Sequence, residues 1–161
     1  MAAEDQDPDI PISVEEARHH PHLLLLSEFN GEIDGRLKYH KSLFQYRNER
    51  ELDEDEWPFS REERGPMDEG FTDLMDDYEK LGLVEIDEEE GKVYVYRETE
   101  RGAQVVEGLK RGLRKIRGEE EEEREKKAEL IATLNIDRSG NEIVEDEDVQ
   151  EAKENPYQSD V

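Results

Sequence analysis

Residues 64–96, RGPMDEGFTDLMDDYEKLGLVEIDEEEGKVYVY, carry the pattern that decides the fold. The Gly-Pro pair near the start predicts a tight turn, with the proline at the first helical position, where its missing N–H loses no helical hydrogen bond. Apolar residues then recur at three- and four-residue spacing and predict a helix over 67–81 that ends at Gly82. Two β-prone runs, 83–86 and 92–96, are separated by an acidic link. They predict a hairpin directly after the helix.

Two further helices are expected upstream of this segment. The leucines of 23–26 predict a first helix over 21–29, which an Asn-Gly pair stops. A second helix is expected over 34–49, and between Gly35 and Asn48 it carries four cations and no acid. The stretch 51–63 is polar around a Trp-Pro-Phe sequence. Those aromatics fit either a loop held against the domain or a short strand, and the sequence leaves both interpretations open.

A closing helix is expected after the hairpin, with Thr99 placed to cap it. Its two glycines, four residues apart, would let another helix approach closely. Two interpretations stay open: the helix closes the core of the domain, or it also joins two copies of the chain as a homodimer. The second interpretation predicts dimer contacts at Val105, Leu109, Gly112, Leu113 and Ile116.

The composition is strongly acidic, with 47 acidic and 22 basic residues among 161 and a formal net charge of −25. The acids lie between intact periodic apolar residues, which favours a folded domain with an acidic surface over a disordered chain. Such a surface is typical of a high-salt cytoplasm, where the Debye length is about 3 Å and self-repulsion is screened. An acidic protein from a mesophile is the alternative. The longest apolar run, Leu23 to Leu26, is too short to span a membrane, so no membrane partner and a cytoplasmic location are expected.

No pattern of catalytic chemistry stands out. The chain has no cysteine, no phosphate-binding loop, no dinucleotide fingerprint and no nucleophile elbow. Histidines 19, 20 and 22 do not suit one metal site, because adjacent histidines point to different faces and Pro21 breaks the helical register. We therefore expect no enzymatic activity, no cofactor and no metal.

The order of these elements carries a family resemblance. The residues that carry it are the leucine-rich first helix, Gly31, Arg36-Leu37, Lys41-Ser42-Leu43-Phe44, Arg64-Gly65-Pro66, Phe71, Leu74, Leu81-Gly82-Leu83-Val84 and 96–102. Over roughly 21–117 the chain resembles archaeal, especially haloarchaeal, winged helix-turn-helix transcriptional regulators. More distantly it resembles antitoxin-type domains with a KxLF…GP…L…GL pattern. The resemblance implies an α+β, mainly α fold: a three-helix core, a two-stranded wing and a C-terminal helix.

The resemblance also implies a regulator that binds double-stranded DNA, with the helix over 67–81 in the major groove and the wing tip on phosphate. The residues depart from that pattern, because this helix has six acids against Lys80 alone and the wing tip over 87–90 is wholly acidic. Phosphate contacts require cations. Three interpretations stay open: contacts by other cations, contacts by the basic residues of 110–117, or a surface that binds a basic protein partner. The candidates for DNA contact are Arg36, Lys38, Lys41, Arg61, Arg64, Thr72 and Lys92.

The sequence thus predicts four parts along the chain. They are a flexible acidic arm over 1–12, a winged-helix domain over 13–118, an acidic helical extension over 119–136 and a disordered acidic tail over 137–161.

Overall fold

The computed structural model describes residues 20–52, 56–89 and 93–161. The predicted arm over 1–12, residues 13–19 and Lys92 lie outside these ranges. The described chain is α+β and mainly helical. Its elements are α1 (Pro21–Glu28), β1 (Glu32–Asp34), α2 (Arg36–Glu49), β2 (Phe59–Glu62), β3 (Gly65–Asp68), α3 (Phe71–Lys80), β4 (Val84–Glu89), β5 (Val93–Glu98), α4 (Glu100–Arg117), α5 (Glu119–Asn135), α6 (Gly140–Val144) and α7 (Glu147–Ala152).

Helix α2 lies at the centre of the structure, with every residue of 38–47 buried. It packs against β1, β3, α5 and α6. Its polar side chains are accommodated because each reaches a partner; for example, Lys41 Nζ donates to the Pro66 carbonyl at 2.7 Å and Arg47 Nη1 to the Val161 carbonyl at 2.6 Å. The cations that the sequence placed along this helix are therefore used largely for packing.

The predicted hairpin after the third helix is confirmed. Strands β4 and β5 pair antiparallel from Val84 opposite Glu98 to Glu89 opposite Val93. Strand β1, which the sequence analysis did not predict, adds to the other edge of β5 with Ile33 opposite Tyr96. The resulting sheet has the order β1-β5-β4.

The Gly-Pro pair does not form the predicted turn, and the third helix does not begin at residue 67. Gly65 and Pro66 lie in β3, which pairs antiparallel with β2, and α3 begins only at Phe71. The backbone is held extended by two contacts: Arg61 pairs with Pro66, and the buried ammonium of Lys41 binds the Pro66 carbonyl. Of the two interpretations of the Trp-Pro-Phe sequence, the strand is observed, since Phe59 opens β2.

The prediction of a disordered tail over 137–161 is wrong. Ser139 and Glu142 form a reciprocal capping box at the start of α6, and Ile143 and Val149 are each 0% exposed. The Val161 amide donates to the Phe59 carbonyl at 2.9 Å. The aliphatic residues Ile143, Val144, Val149, Ala152 and Val161 of this acidic segment are buried, whereas Tyr157 is exposed. These few buried residues suffice to order the segment.

The extension over 119–136 is helical as predicted, but it does not stand apart from the domain. Ala128 and Ile131 of α5 belong to the same hydrophobic cluster as the leucines of α1. The domain therefore continues through the predicted boundary at 118.

Candidate functional site

A groove of about 1260 Å³ opens where the start of α2, the β2–β3 hairpin and the start of α6 meet. Four of the predicted DNA-contact residues line it: Arg36, Lys38, Arg64 and Thr72. Arg36 Nη2 donates to Thr72 Oγ1 at 3.2 Å, and Arg64 Nη2 donates to Asn141 Oδ1. Arg36, Arg64 and Thr72 are exposed. The structure thus brings these three side chains together at one surface, although they are far apart in sequence.

Two predicted phosphate contacts are buried instead. Lys38 is 7% exposed and its Nζ donates to the Ile136 carbonyl at 2.8 Å, while burial lowers its pKa. Lys41 is 0% exposed, and burial, followed by the charges of Arg64 and Lys153, lowers its pKa to about 7. The assignment of Lys41 as a surface contact is therefore corrected, because its ammonium is enclosed by β3.

Arg61, another predicted contact, is half-buried and ties two elements together. Its Nε and Nη2 both donate to the Lys153 carbonyl, at 3.1 and 2.7 Å. Because this carbonyl lies at the C-terminal end of α7, the guanidinium satisfies a backbone group that the helix leaves open. Arg61 therefore stabilises the fold by joining β2 to the end of α7.

A buried polar network lies behind the groove, and the sequence analysis missed it. Asp68 Oδ2 lies 2.5 Å from His22 Nε2, and Asp68 Oδ1 accepts from Trp57 Nε1 at 3.2 Å. Burial alone would raise the pKa of Asp68, but the hydrogen bond and charge of His22 and the Gly70 amide together lower it. No local spacing could have revealed this network, since its members come from four separate segments.

His40 belongs to this network, and both His40 and Asp68 line the groove. Its Nδ1 accepts a hydrogen bond from the Asp68 amide at 3.0 Å, so a neutral ring carries its proton on Nε2. Burial, together with the charge of Lys41, lowers the pKa of His40 to about 3. Within the described residues Nε2 has no hydrogen-bond partner. The ring is therefore a neutral donor whose N–H is unsatisfied.

A second surface is formed by α3 and the side of β4 that faces it, where Glu88 lies near Asp76 and Glu79, and we call it the acidic face. Apart from Lys80, α3 has no cation, and Arg97 beside β4 pairs with Asp87 and with Glu32. The exposed carboxylates of the acidic face are those of Asp73, Asp76, Asp77, Glu79 and Glu88. Glu85 and Asp87 are also exposed, but they alternate with Ile86 and Glu88 along β4 and lie on the other side of the sheet, where Arg97 pairs with Asp87.

The closing helix α4 begins with the predicted cap, since Thr99 Oγ1 accepts from the Gly102 amide at 2.9 Å. Val105 and Leu109 pack against the core and Leu113 is 3% exposed, whereas Ile116 is 61% exposed. A Cβ added at Gly112 would meet nothing within 4 Å in the described chain. Most of the apolar face thus closes the domain core, and the homodimer remains a prediction for Gly112 and Ile116.

The basic side of α4, the alternative nucleic-acid surface over 110–117, is partly neutralised within the chain. Lys110 Nζ lies 2.9 Å from Glu28 Oε2, and Arg114 binds both carboxylate oxygens of Glu125 at 2.9 and 2.7 Å. Arg117 reaches Glu120 at 3.4 Å.

Comparison of the sequence with models of known protein families gave no match, and comparisons with curated proteins and with solved structures gave none either. Over the described ranges, no cluster of three or more His, Asp or Glu side chains is arranged to hold a metal ion. None of the helices in these ranges has the length and apolar character needed to cross a membrane.

Proposed function

We propose that the protein is a winged-helix interaction module whose acidic face binds a basic protein. The observation that carries this proposal is the charge of α3 and β4, where exposed carboxylates are opposed by a single lysine in α3. In a winged-helix arrangement these two elements form the surface that would otherwise enter a DNA groove. A surface of this charge attracts Lys- and Arg-rich partners and repels a polyanion.

The element order supports the winged-helix part of this proposal. In the part of the chain before α3 that the structure describes, two helices are separated by a short strand, and this strand, β1, joins the β4–β5 hairpin through β5. The β2–β3 hairpin is inserted between α2 and α3. Since that insertion covers α2, a protein partner has access mainly to α3 and the wing.

The burial of the α2 lysines also favours a protein partner over DNA. Non-specific and much of specific DNA affinity come from cations that neutralise phosphates. Lys38 and Lys41 point inward, which leaves Arg36 and Arg64 as the exposed cations of the predicted contact set on the groove. The formal net charge of −25 for the whole chain fits a halophilic cytoplasm in which salt screens long-range repulsion.

Neutralising the acidic face tests the proposal. The variant Asp76→Asn/Asp77→Asn/Glu79→Gln removes three exposed charges from α3, and the matched control Glu107→Gln/Glu129→Gln/Glu151→Gln removes three exposed charges elsewhere. Each tagged protein is used to capture partners from host lysate at high KCl. We expect wild type and control to retain the same basic protein and the α3 variant to lose it. Equal capture by all three proteins would refute the assignment of the surface.

A second candidate function is DNA binding through the groove, as in a transcriptional regulator. It is favoured by one observation: Arg36, Arg64 and Thr72 share an exposed surface at the start of α3. Gel shifts with genomic fragments at several KCl concentrations test it. On this hypothesis Arg36→Ala/Arg64→Ala weakens binding and lowers the salt slope by about 2 units. The control Arg101→Ala/Arg111→Ala, on exposed residues of α4, leaves both the DNA affinity and its salt slope unchanged.

A further inference from the structure

The groove has features of a ligand site that protein or DNA binding would not require. We propose that it binds a small molecule through a carboxylate or phosphate group, with Arg36 and Arg64 as charged contacts and the His40 imidazole as a buried donor. This inference goes beyond the proposed function and does not depend on it.

The first feature is the start of α2. Gly35 is the N-cap, with φ 120°, and no side chain in the described structure caps the helix. The first turn also contains no acid, although 47 of the 161 residues of the chain are acidic. The leading amides of a helix lack intrahelical acceptors, and the helix dipole adds positive potential there. The start of this 14-residue helix lines the groove and adds positive potential there, with Gly140 packed against the Lys38 amide.

The second feature, His40, is independent of the helix end. The ring is 1% exposed, lines the groove and keeps an Nε2–H without a partner in the described chain. A buried donor left unsatisfied costs free energy, so an acceptor in the groove would gain by binding it. Burial lowers the pKa of His40 to about 3, and the ring therefore offers a hydrogen bond rather than a charge at neutral pH.

Two guanidinium groups supply the charge. Arg36 and Arg64 lie on the exposed margin of the groove, and each makes a hydrogen bond to a neutral side chain, Thr72 or Asn141. A guanidinium has five N–H donors, so most of them remain for a ligand. Its planar fork matches carboxylate and phosphate oxygens. The pair thus suits an oxyanion better than a neutral ligand.

Carboxylates also line the groove, but the most deeply placed of them are occupied. Asp68 is bound by His22, Trp57 and the Gly70 amide. Glu62 accepts from the Ser60 hydroxyl at 2.6 Å. Asp34 and Glu69 are exposed at the margin, like Arg36 and Arg64, and salt screens both signs of charge there. The preference for an anion therefore comes from Arg36, Arg64 and His40, whose side chains keep N–H groups that can donate to a ligand.

Titration of the full chain with inorganic phosphate and, separately, with succinate tests the proposal at constant KCl. The reporters are the His40 ring nitrogens and the Asp68 backbone amide that donates to that ring, both followed by NMR. We expect saturable shifts of these signals with at least one of the two anions. Arg36→Gln or Arg64→Gln should weaken binding about tenfold, since hydrogen bonds to charged groups are strong. The control Arg111→Gln, at an exposed position on α4, should leave affinity unchanged.

The phosphate and succinate arms identify which group the site prefers, and saturation with either supports the proposal. Three results would overturn it: no saturable shift at His40 with either anion, equal weakening by all three arginine variants, or a His40 response to duplex DNA alone. Because both reporters are read in the wild-type chain, a variant that fails to fold leaves the first and third tests intact.

Discussion

Substituting Lys41 by methionine should change how stability depends on pH. The ammonium of Lys41 is 0% exposed, contacts Met67 Sδ and donates to the Pro66 carbonyl. Its pKa is lowered from 10.5 to about 7, first by burial and then by the positive charges of Arg64 and Lys153. Methionine keeps most of the aliphatic stem and removes the titrating group.

The sign of this pH dependence follows from how many protons Lys41 binds in the folded and in the unfolded chain. Below about pH 7 both the folded and unfolded chains carry the proton, so the cost of the buried charge is fully present. Between about pH 7 and the unfolded value of 10.5 the unfolded chain keeps the proton and the folded chain loses it. The wild-type free energy of unfolding should therefore rise with pH relative to that of Lys41→Met. Integrated between about pH 7 and about pH 9, the difference is about 2 kcal/mol.

Urea unfolding at fixed high salt across this pH range measures the effect, with Lys126→Met as the control for loss of one exposed positive charge. Lys41→Met also loses the hydrogen bond to Pro66, but that loss of about 1 kcal/mol does not change with pH. A constant free-energy difference between wild type and Lys41→Met from neutral to alkaline pH would refute the buried position of this lysine.

Further substitutions at three sites, with a control at Gly112, test packing by urea unfolding at fixed salt. Gly140→Ala should destabilise by about 1–3 kcal/mol because its Cβ would lie 2.8 Å from the Leu37 side chain and the Lys38 amide, whereas Gly112→Ala, with open space around it, should stabilise by up to about 1 kcal/mol. Arg124→Met should cost about 3–5 kcal/mol by leaving the 2%-exposed Glu121 unpaired, and adding Glu121→Gln should recover part of it. Val149→Ala should cost about 2 kcal/mol; a disordered tail would make it neutral.

The elements that sequence analysis predicted correctly are those set by local periodicity. The apolar stripe of α3 survives in the structure, with Phe71, Met75 and Tyr78 buried. The β4–β5 hairpin follows from two β-prone runs separated by a short link, and α4 from its cap at Thr99. Such patterns are contained within one segment of chain.

The errors arose where contacts between distant segments decide the outcome. Gly65 and Pro66 look like a turn, but the ammonium of Lys41, 25 residues before Pro66, holds the carbonyl of an extended strand. The cations of α2 resembled a phosphate-binding surface because local sequence cannot show that distant segments bury two of them. The Ile136 carbonyl binds Lys38, and the Pro66 carbonyl of β3 binds Lys41. The final 25 residues appeared too polar to fold, yet Val144 and Val149 complete a core begun by α1 and α2. Composition does not reveal how few apolar contacts a terminal segment needs in order to fold onto an existing core.

The measurement that tests the account most directly is amide hydrogen exchange of the full chain with and without the basic partner captured at high KCl. Binding through the acidic face predicts slower exchange over 72–80 and 84–88, with little change across α5. Protection confined to α4 or α5, or to the groove at the start of α2, would contradict the central claim that α3 and the wing form the partner surface.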